Sequence, residues 1–194
     1  MPSRLIIWLL PLLLLGCSAA SPPWHGHDIS GLMPDLAFEL TDDRSRPASA
    51  ADSAGKLRLL YFGFSHCKNV CPTTLATLGR SIARLGPDAD KVRVLFVSVD
   101  PARDTPEILH QYTAHFGPQI QGLTGSQQQL RTLSQRYRVS YSYGPKDNDG
   151  NYMVYHSSAV FVFDGQGRIR LLLDNDLGDE AIAADLRRLL DEVK

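Results

Sequence analysis

Two apolar runs, residues 57–62 (LRLLYF) and 92–99 (VRVLFVSV), most strongly limit the folds open to this chain. A run of this kind is typical of a strand that is covered on both faces. Between the two runs, Leu75 and Leu78 open a series of apolar residues at helical spacing, and Gly86 marks the predicted end of that helix. Strand, helix and strand in this order predict a parallel pair of strands joined by a right-handed crossover.

Two further helices have start signals of their own. Thr105 or Asp104 can cap a helix that has Pro106 in its first turn. Ser126, with Gln129 three residues later, forms a capping-box pattern and predicts a third helix. Both helices follow the second apolar run, so the chain alternates strands with helices.

The C-terminal part adds a hairpin and a last helix. Residues 159–163 (AVFVF) and 168–173 predict two paired strands joined by a turn at 164–167 (DGQG). Residues 137–155 are polar and aromatic, which is typical of an inserted loop or an irregular hairpin. The chain ends in an amphipathic pattern that predicts a helix over 178–194. This order predicts an α/β fold with a central mixed β-sheet flanked by helices.

The first residues have the pattern of a secretory signal peptide. Arg4 supplies a positive charge, residues 5–15 are almost wholly apolar, and Gly16 precedes Cys17. The apolar run is about half of the roughly 20 residues that span a bilayer as a helix, which makes a membrane-spanning anchor the weaker interpretation. The letters LLGC resemble the lipobox of bacterial lipoproteins, and this resemblance implies cleavage before Cys17 and lipid attachment to its thiol.

We therefore expect three parts: a signal peptide over 1–16, a lipidated cysteine with a flexible tether over 17–30, and one folded domain over 31–194. His25 and His27 in the tether are expected to be solvated rather than to bind metal. The formal net charge is −1, and no basic stripe favours a nucleic-acid partner. Export places the other two cysteines in a compartment where disulfides persist.

Those two cysteines, Cys67 and Cys71, fall between the first predicted strand and its helix. Pro72 suits the first turn of that helix, which places Cys71 at or next to the N-cap. Unpaired N–H groups and the helix dipole favour a thiolate there, so we expect lowered thiol pKa values. The pair is a disulfide clip, a redox dithiol or part of a metal site. The clip is the weakest of these because closing so short a loop removes little entropy from the unfolded chain.

A histidine would complete a metal site with the two thiolates. The strand–cysteine–helix plan resembles a thioredoxin-like fold, in which the loop entering the hairpin lies beside the cysteine loop, and His156 ends that loop. His66 can point away from the adjacent cysteine, whereas His110 and His115 lie within a predicted helix, where packing or surface roles are more common. Two thiolates and an imidazole favour Cu(I) or Zn(II), and no fourth ligand for a closed zinc site stands out.

Four segments resemble, in order, the blocks of the SCO/SenC copper chaperone family: GKLRLLYFGFSHCKNVCPTTL, VSVDPARDTPEIL, FGPQIQGLTGS and YHSSAVFVFDGQGRI. The resemblance extends from about residue 31 to the C-terminus. It implies a thioredoxin-like fold. It also implies a mononuclear site in which Cys67, Cys71 and His156 bind one copper ion per chain, as Cu(I) or Cu(II).

The same resemblance implies a function outside the cytoplasmic membrane. Such a protein would be lipid-anchored on the periplasmic face of a bacterial envelope and would assist assembly of the dinuclear CuA centre of cytochrome c oxidase. Its partner would be oxidase subunit II or another copper chaperone, and it would deliver copper or reduce the recipient's cysteines. Lys68 and Asn69 replace the Pro-Asp often found between the family's cysteines. Neither residue supplies a ligand, so this difference bears on exchange rate or partner choice.

The DPARDTP turn has two interpretations. It follows the second buried strand, which places Asp100, Arg103 and Asp104 at the same end of the sheet as Cys67. These side chains either orient a ligand or a partner, or they cap the helix through Asp104 and form a salt link with Arg103.

The competing function is that of a thiol–disulfide oxidoreductase or redox sensor of the thioredoxin or peroxiredoxin type, which the dithiol at a helix start supports. Against it, the spacing is C-x-x-x-C rather than C-x-x-C, and no proline stands immediately before Ala159. Phe64 also occupies the place where peroxiredoxins have threonine. A purely structural lipoprotein has no support beyond the leader.

Overall fold

The computed structural model describes residues 23–192. Within that range the chain forms ten strands and four α-helices, with two short 3₁₀ turns at Ala50–Ser53 and Gly86–Lys91. The elements are β1 (His27–Asp28), β2 (Glu39–Asp42), β3 (Pro47–Ser49), β4 (Leu57–Gly63), α1 (Val70–Ala83), β5 (Val92–Ser98), α2 (Pro106–Ala114), β6 (Ile120–Thr124), α3 (Gln127–Arg136), β7 (Tyr141–Tyr143), β8 (Val154–His156), β9 (Val160–Phe163), β10 (Ile169–Leu173) and α4 (Asp179–Asp191).

Eight of the strands form one mixed sheet in the order β1-β10-β9-β4-β5-β6-β2-β3. Strand β4 pairs in parallel with β5, from Leu57 opposite Val92 to Gly63 opposite Ser98, as the sequence predicted. On its other side, β4 pairs antiparallel with β9. Helices flank this sheet, so the predicted α/β plan is confirmed. Because β4 and β5 are parallel, the loops that follow them leave the sheet at the same end.

The two apolar runs form the centre of the core. Every residue of β4 is buried, and Leu59, Tyr61 and Phe96 have no exposed surface. Arg58 is the charged exception in β4, and its guanidinium donates to the backbone carbonyls of Ser53 and Gly165. Burial on both faces therefore agrees with the apolar pattern read from the sequence.

The predicted starts of α2 and α3 are confirmed. Thr105 caps α2, where its side chain accepts a hydrogen bond from the Ile108 amide at 3.4 Å. Ser126 and Gln129 form a reciprocal capping box at the start of α3. Asn69 occupies the N-cap of α1, so Cys71 is the second residue of the first turn rather than at or next to the N-cap, and the helix begins slightly earlier than predicted. The insertion at 137–155 contributes β7 and β8, which pair as a separate two-stranded sheet.

The folded domain begins earlier than the sequence predicted. Residues 17–30 were expected to form a flexible tether, yet β1 lies within that range and pairs with β10. The buried carboxylate of Asp185 accepts hydrogen bonds from the amides of His25 and Gly26, and Trp24 stacks on Arg188 at 3.6 Å. The histidines are not simply solvated, because His25 Nδ1 lies 2.9 Å from Asp185 and His27 pairs with Asp174. These backbone and side-chain contacts together order this segment.

Three short strands on one side of the sheet were also missing from the sequence prediction. Strands β2, β3 and β6 have between three and five residues each.

The predicted signal peptide and Cys17 lie outside the described residues, so both stay predictions. Within residues 23–192, no helix is both long and apolar enough to cross a membrane.

Candidate metal site

Three side chains from distant parts of the chain meet beyond the end of β4. Cys67 lies in the loop after β4, Cys71 in the first turn of α1, and His156 at the end of β8. Their donor atoms all lie within 4.8 Å of one another. The sulfur of Cys71 lies 3.3 Å from Nε2 of His156. The structure therefore brings together the three residues that the sequence analysis singled out.

The other histidines do not join this group. His66 lies next to Cys67 in sequence, but its ring is directed to Ser65 at 3.0 Å. His110 lies 3.5 Å from Asp43, and His115 bonds to the backbone carbonyl of Gln111. Among residues 23–192, the cysteine pair with His156 is the single cluster of three histidine, cysteine or acidic side chains close enough to hold a metal ion.

The start of α1 interacts directly with Cys67, the more exposed of the two thiols. The amide of Cys71 lies 3.4 Å from the sulfur of Cys67 and donates to it. This N–H belongs to the first turn of α1, where backbone donors have no partner within the helix. The helix start thus directs a backbone donor at the sulfur of Cys67.

The pKa of Cys71, the buried thiol, differs from the prediction. Burial raises the pKa of Cys71 to about 12. The expectation that the helix start lowers the pKa was therefore wrong for Cys71. Removal of the thiolate from water opposes its charge, and this cost exceeds the opposing effect of the hydrogen bond with the Phe64 backbone. Both cysteines are free thiols in the structure.

His156 is arranged with one ring nitrogen free. Burial lowers its pKa, which favours the neutral imidazole. Its Nδ1 lies 2.9 Å from the carbonyl oxygen of Ser157, and because a carbonyl can only accept, Nδ1 carries the proton. Nε2 then presents its lone pair to the sulfur of Cys71. A neutral imidazole whose second nitrogen donates to a carbonyl is the usual arrangement of a metal-binding histidine.

The donor set fits a soft or borderline metal. Two sulfur atoms and one imidazole nitrogen converge, and thiolates select Cu(I) and Zn(II). A closed zinc site has four protein ligands, whereas this cluster contains three. With three protein ligands, one coordination position of a bound ion stays open to a further ligand, so the ion can be exchanged.

Asp104 holds the cysteine loop in place. Its carboxylate is fully buried and accepts hydrogen bonds from the amide of Ser65 at 2.9 Å and from the hydroxyl of Ser98 at 2.5 Å. The Ser65 hydroxyl donates to the same carboxylate. Asp104 therefore joins the loop that carries Cys67 to the end of β5. It does not cap α2, because Thr105 does so.

Asp100 and Arg103 hold the insertion that carries His156. The guanidinium of Arg103 donates to the carboxylate of Asp100 and lies 3.8 Å above the ring of Tyr152. The hydroxyl of Tyr152 donates to Asp100 at 2.6 Å. The predicted salt link of Arg103 is thus formed with Asp100. No local pattern marked Tyr152 or Ser65, because their roles depend on contacts with residues 39 to 52 positions away in the sequence.

The site opens through an apolar rim. Phe64 and Val154 line the opening together with Val70, Met153 and Tyr155. The last three are large apolar residues with 39%, 52% and 61% of their surface exposed. Exposed apolar side chains grouped at one place are typical of a contact surface for another protein.

Comparison with known proteins identifies a matching family model and similar sequences. A family model described as SCO1/SenC matches residues 33–191. The mouse protein named "Protein SCO2 homolog, mitochondrial" is 38% identical over 153 residues, which are 78% of this chain and 60% of that protein. The chain thus matches less than two thirds of the length of this relative.

Two solved structures extend the comparison to the fold. Bradyrhizobium japonicum ScoI with copper bound has a TM-score of 0.74 at 35% identity, over 80% of this chain and 98% of that chain. Apo Sco1 from Thermus thermophilus has a TM-score of 0.76 at 36% identity, over 88% of this chain and 99% of that chain. The thioredoxin-like fold predicted from the sequence is confirmed by these likenesses. Because the family model matches most of its length, the chain belongs to the SCO1/SenC family.

Proposed function

We propose that this chain binds one copper ion, as Cu(I) or Cu(II), through Cys67, Cys71 and His156. The observation that carries the proposal is the convergence of the three donor atoms within 4.8 Å. The copper-bound structure of a relative that is 35% identical supports the choice of metal. In this site the two sulfurs would supply soft anionic donors, and the free Nε2 of His156 would supply a neutral one.

We further propose that the bound copper serves assembly of the CuA centre of cytochrome c oxidase, as the family resemblance implies. The recipient would be oxidase subunit II or another copper chaperone. The exposed apolar rim formed by Val70, Met153 and Tyr155 supports transfer to a protein partner, since it surrounds the opening of the site. A site with three protein ligands can release its ion when a partner offers further thiolates.

A copper titration tests the ligand set. The chain from Pro23 onward, which contains every described strand and helix, is loaded without oxygen in its reduced form and in its oxidised form. We expect the reduced protein to bind one equivalent, with thiolate-to-copper absorption in the Cu(II) state, and the oxidised protein to bind far less. Equal binding by both forms would show that the thiols are not ligands.

Two histidine variants make the test specific. We expect His156→Ala to lower copper affinity and to change the Cu(II) spectrum. His115→Ala is the matched control, because its ring is exposed and bonds to Gln111 instead of the cluster. If His156→Ala leaves affinity and spectrum as in the wild type, His156 is not the third ligand.

A second function, reduction of the recipient's disulfide, is favoured by the free thiols and by the accessible position of Cys67. The Cys67 thiolate would attack the recipient's disulfide and release one recipient thiolate. Cys71 would then attack Cys67 and release the second, so that two recipient thiols form and a Cys67–Cys71 disulfide remains. Incubation with an oxidised recipient domain, followed by thiol counts with and without copper, distinguishes this reaction from metal transfer. Insulin reduction or peroxide turnover without copper would favour a general oxidoreductase.

We propose a lipid anchor at Cys17 on the periplasmic face of a bacterial membrane. The support is the leader over 1–16 followed at once by this cysteine. Full-length protein expressed in a bacterium should be recovered with the membranes and carry the mass of an attached lipid. Cys17→Ser should release it into the soluble envelope fraction, and membrane recovery of that variant would contradict the proposal.

A further inference from the structure

One buried tyrosine beside the site has a hydroxyl without a hydrogen-bond partner. Tyr61 in β4 has no exposed surface, and its hydroxyl makes no hydrogen bond of normal geometry. Buried hydroxyls in native proteins nearly always have a partner, and one without a partner calls for an explanation. In the metal-free chain the hydroxyl thus lies near polar side chains without a hydrogen bond of normal geometry to any of them.

The surroundings of Tyr61 point to the metal site. Its hydroxyl lies near the side chains of Cys71 and Thr74. Its ring also meets the ring of His156 edge-on, with 6.3 Å between the centroids. Tyr61 therefore faces two of the three donor residues from the side of the sheet.

The sulfur of Cys71 is enclosed on this side. A Cβ atom placed on Gly63 would lie 2.9 Å from that sulfur, so the backbone of β4 approaches it closely. In the metal-free chain the thiol is a weak hydrogen-bond acceptor, and its sulfur already contacts Nε2 of His156. Once a metal replaces the thiol proton, the sulfur is anionic and becomes a strong acceptor for a neighbouring hydroxyl.

We propose that Tyr61 is a positioning residue whose hydroxyl donates a hydrogen bond to the Cys71 thiolate when the site holds copper. This inference rests on the proposed function and adds to it a residue outside the ligand set. The bond would withdraw electron density from the sulfur and weaken its donation to the metal. Hydrogen bonds to a ligand sulfur tune copper centres in this way and favour the reduced ion.

The test compares Tyr61→Phe with wild type in the metal-free and copper-loaded states. In the loaded state we expect the Cu(I) affinity to fall relative to the Cu(II) affinity, and a thiolate-to-Cu(II) absorption band shifted to longer wavelength. In the metal-free state we expect a urea midpoint equal to or above that of wild type, because no hydrogen bond is lost. A merely structural role would lower that midpoint and leave the absorption band in place.

Two matched tyrosine variants serve as controls. The buried hydroxyl of Tyr137 donates to the carbonyl of Asp35 and accepts from the amide of Ala37. Tyr137→Phe should lower the urea midpoint without moving the copper band. The hydroxyl of Tyr112 is also buried without a hydrogen-bond partner, and no hydrogen-bond interaction with Cys71 is found for it, so Tyr112→Phe should leave the band unchanged.

Three outcomes would overturn the inference. The first is an unchanged copper affinity and band in Tyr61→Phe while wild type binds copper, which leaves the proposed function standing. The second is a loss of metal-free stability as large as that of Tyr137→Phe, which would show that the hydroxyl already has a partner. The third is a band shift in Tyr112→Phe instead, which would assign the donor to the other tyrosine. If wild type binds no copper, the proposed function and this inference fail together.

Discussion

Replacement of Asp104 by alanine should damage the metal site without touching a ligand. Asp104 is fully buried, and its carboxylate accepts hydrogen bonds from the amide and hydroxyl of Ser65 and from the hydroxyl of Ser98. These contacts join the cysteine loop to the end of β5. In Asp104→Ala the three donors lose their acceptor, and the loop that carries Cys67 loses its main polar support.

The size of the effect follows from the burial of the donors. Ser98 has no exposed surface, so its hydroxyl is left without this acceptor at a cost of about 1–3 kcal/mol. Ser65 is half-buried, so water can replace part of its bonding, and about 1 kcal/mol is lost there. We expect the free energy of unfolding of the metal-free chain to fall by about 2–4 kcal/mol. A loosened loop should also lower copper affinity by about 10- to 100-fold, as for other residues that orient ligands.

Urea unfolding and copper titration of the same preparations measure both effects. Asp164→Ala is the matched control. This aspartate is also buried, and it accepts from the amides of Gln166 and Arg168, but it lies in the β9–β10 turn at the opposite end of the sheet. Its replacement should cost similar stability and leave copper affinity unchanged.

Two results would refute this reasoning. If both variants lower copper affinity to the same extent, the loss reflects global stability rather than the position of the cysteine loop. If Asp104→Ala lowers the free energy of unfolding by less than about 1 kcal/mol, the buried carboxylate network does not support the fold as its geometry indicates.

Three further changes test other parts of the molecule. A haloacetamide should modify Cys67 well before Cys71 in the metal-free chain, because of these two thiols Cys67 is partly exposed and Cys71 is buried, and peptide mass spectrometry that finds equal rates would contradict this. Gly63→Ala should destabilise the fold by about 1–3 kcal/mol in urea, since the new methyl would lie 2.6 Å from a phenylalanine ring carbon; an unchanged midpoint would show that the core yields there. Asp185→Ala should make the N-terminal strand accessible to limited proteolysis by removing the acceptor of two backbone amides, and cleavage at the wild-type rate would mean that other contacts hold β1.

Much of the fold followed from local signals. The buried runs of β4 and β5, the cap at Thr105 and the capping box at Ser126 depend on residues that are neighbours in sequence, and the structure confirms them. The short strands β1, β2, β3 and β6 could not be predicted in this way. They have two to five residues each, too few for a period-2 pattern to stand out, and their pairing partners lie far away in the chain.

The roles of the polar residues near the site needed the three-dimensional arrangement. Asp104 was interpreted as a possible helix cap from its position before Pro106, yet its partners are Ser65 and Ser98. Tyr61 showed only as one apolar letter in a strand pattern. The direction of its hydroxyl, and the absence of a partner for it, depend on how α1 packs against β4.

The sequence by itself determined the order of the two central strands, the four helices and the C-terminal hairpin, the types of donor atom and the place of Cys71 near the start of a helix. Those properties depend on periodicity, capping residues and the chemistry of thiol and imidazole groups, which are local. Only the tertiary structure decided that His156 lies 3.3 Å from the sulfur of Cys71, 85 residues away, and that the pKa of this thiol is raised instead of lowered. The reason is physical: the helix start acts on a thiol through its own turn, whereas the cost of removing charge from water depends on every element that packs around it.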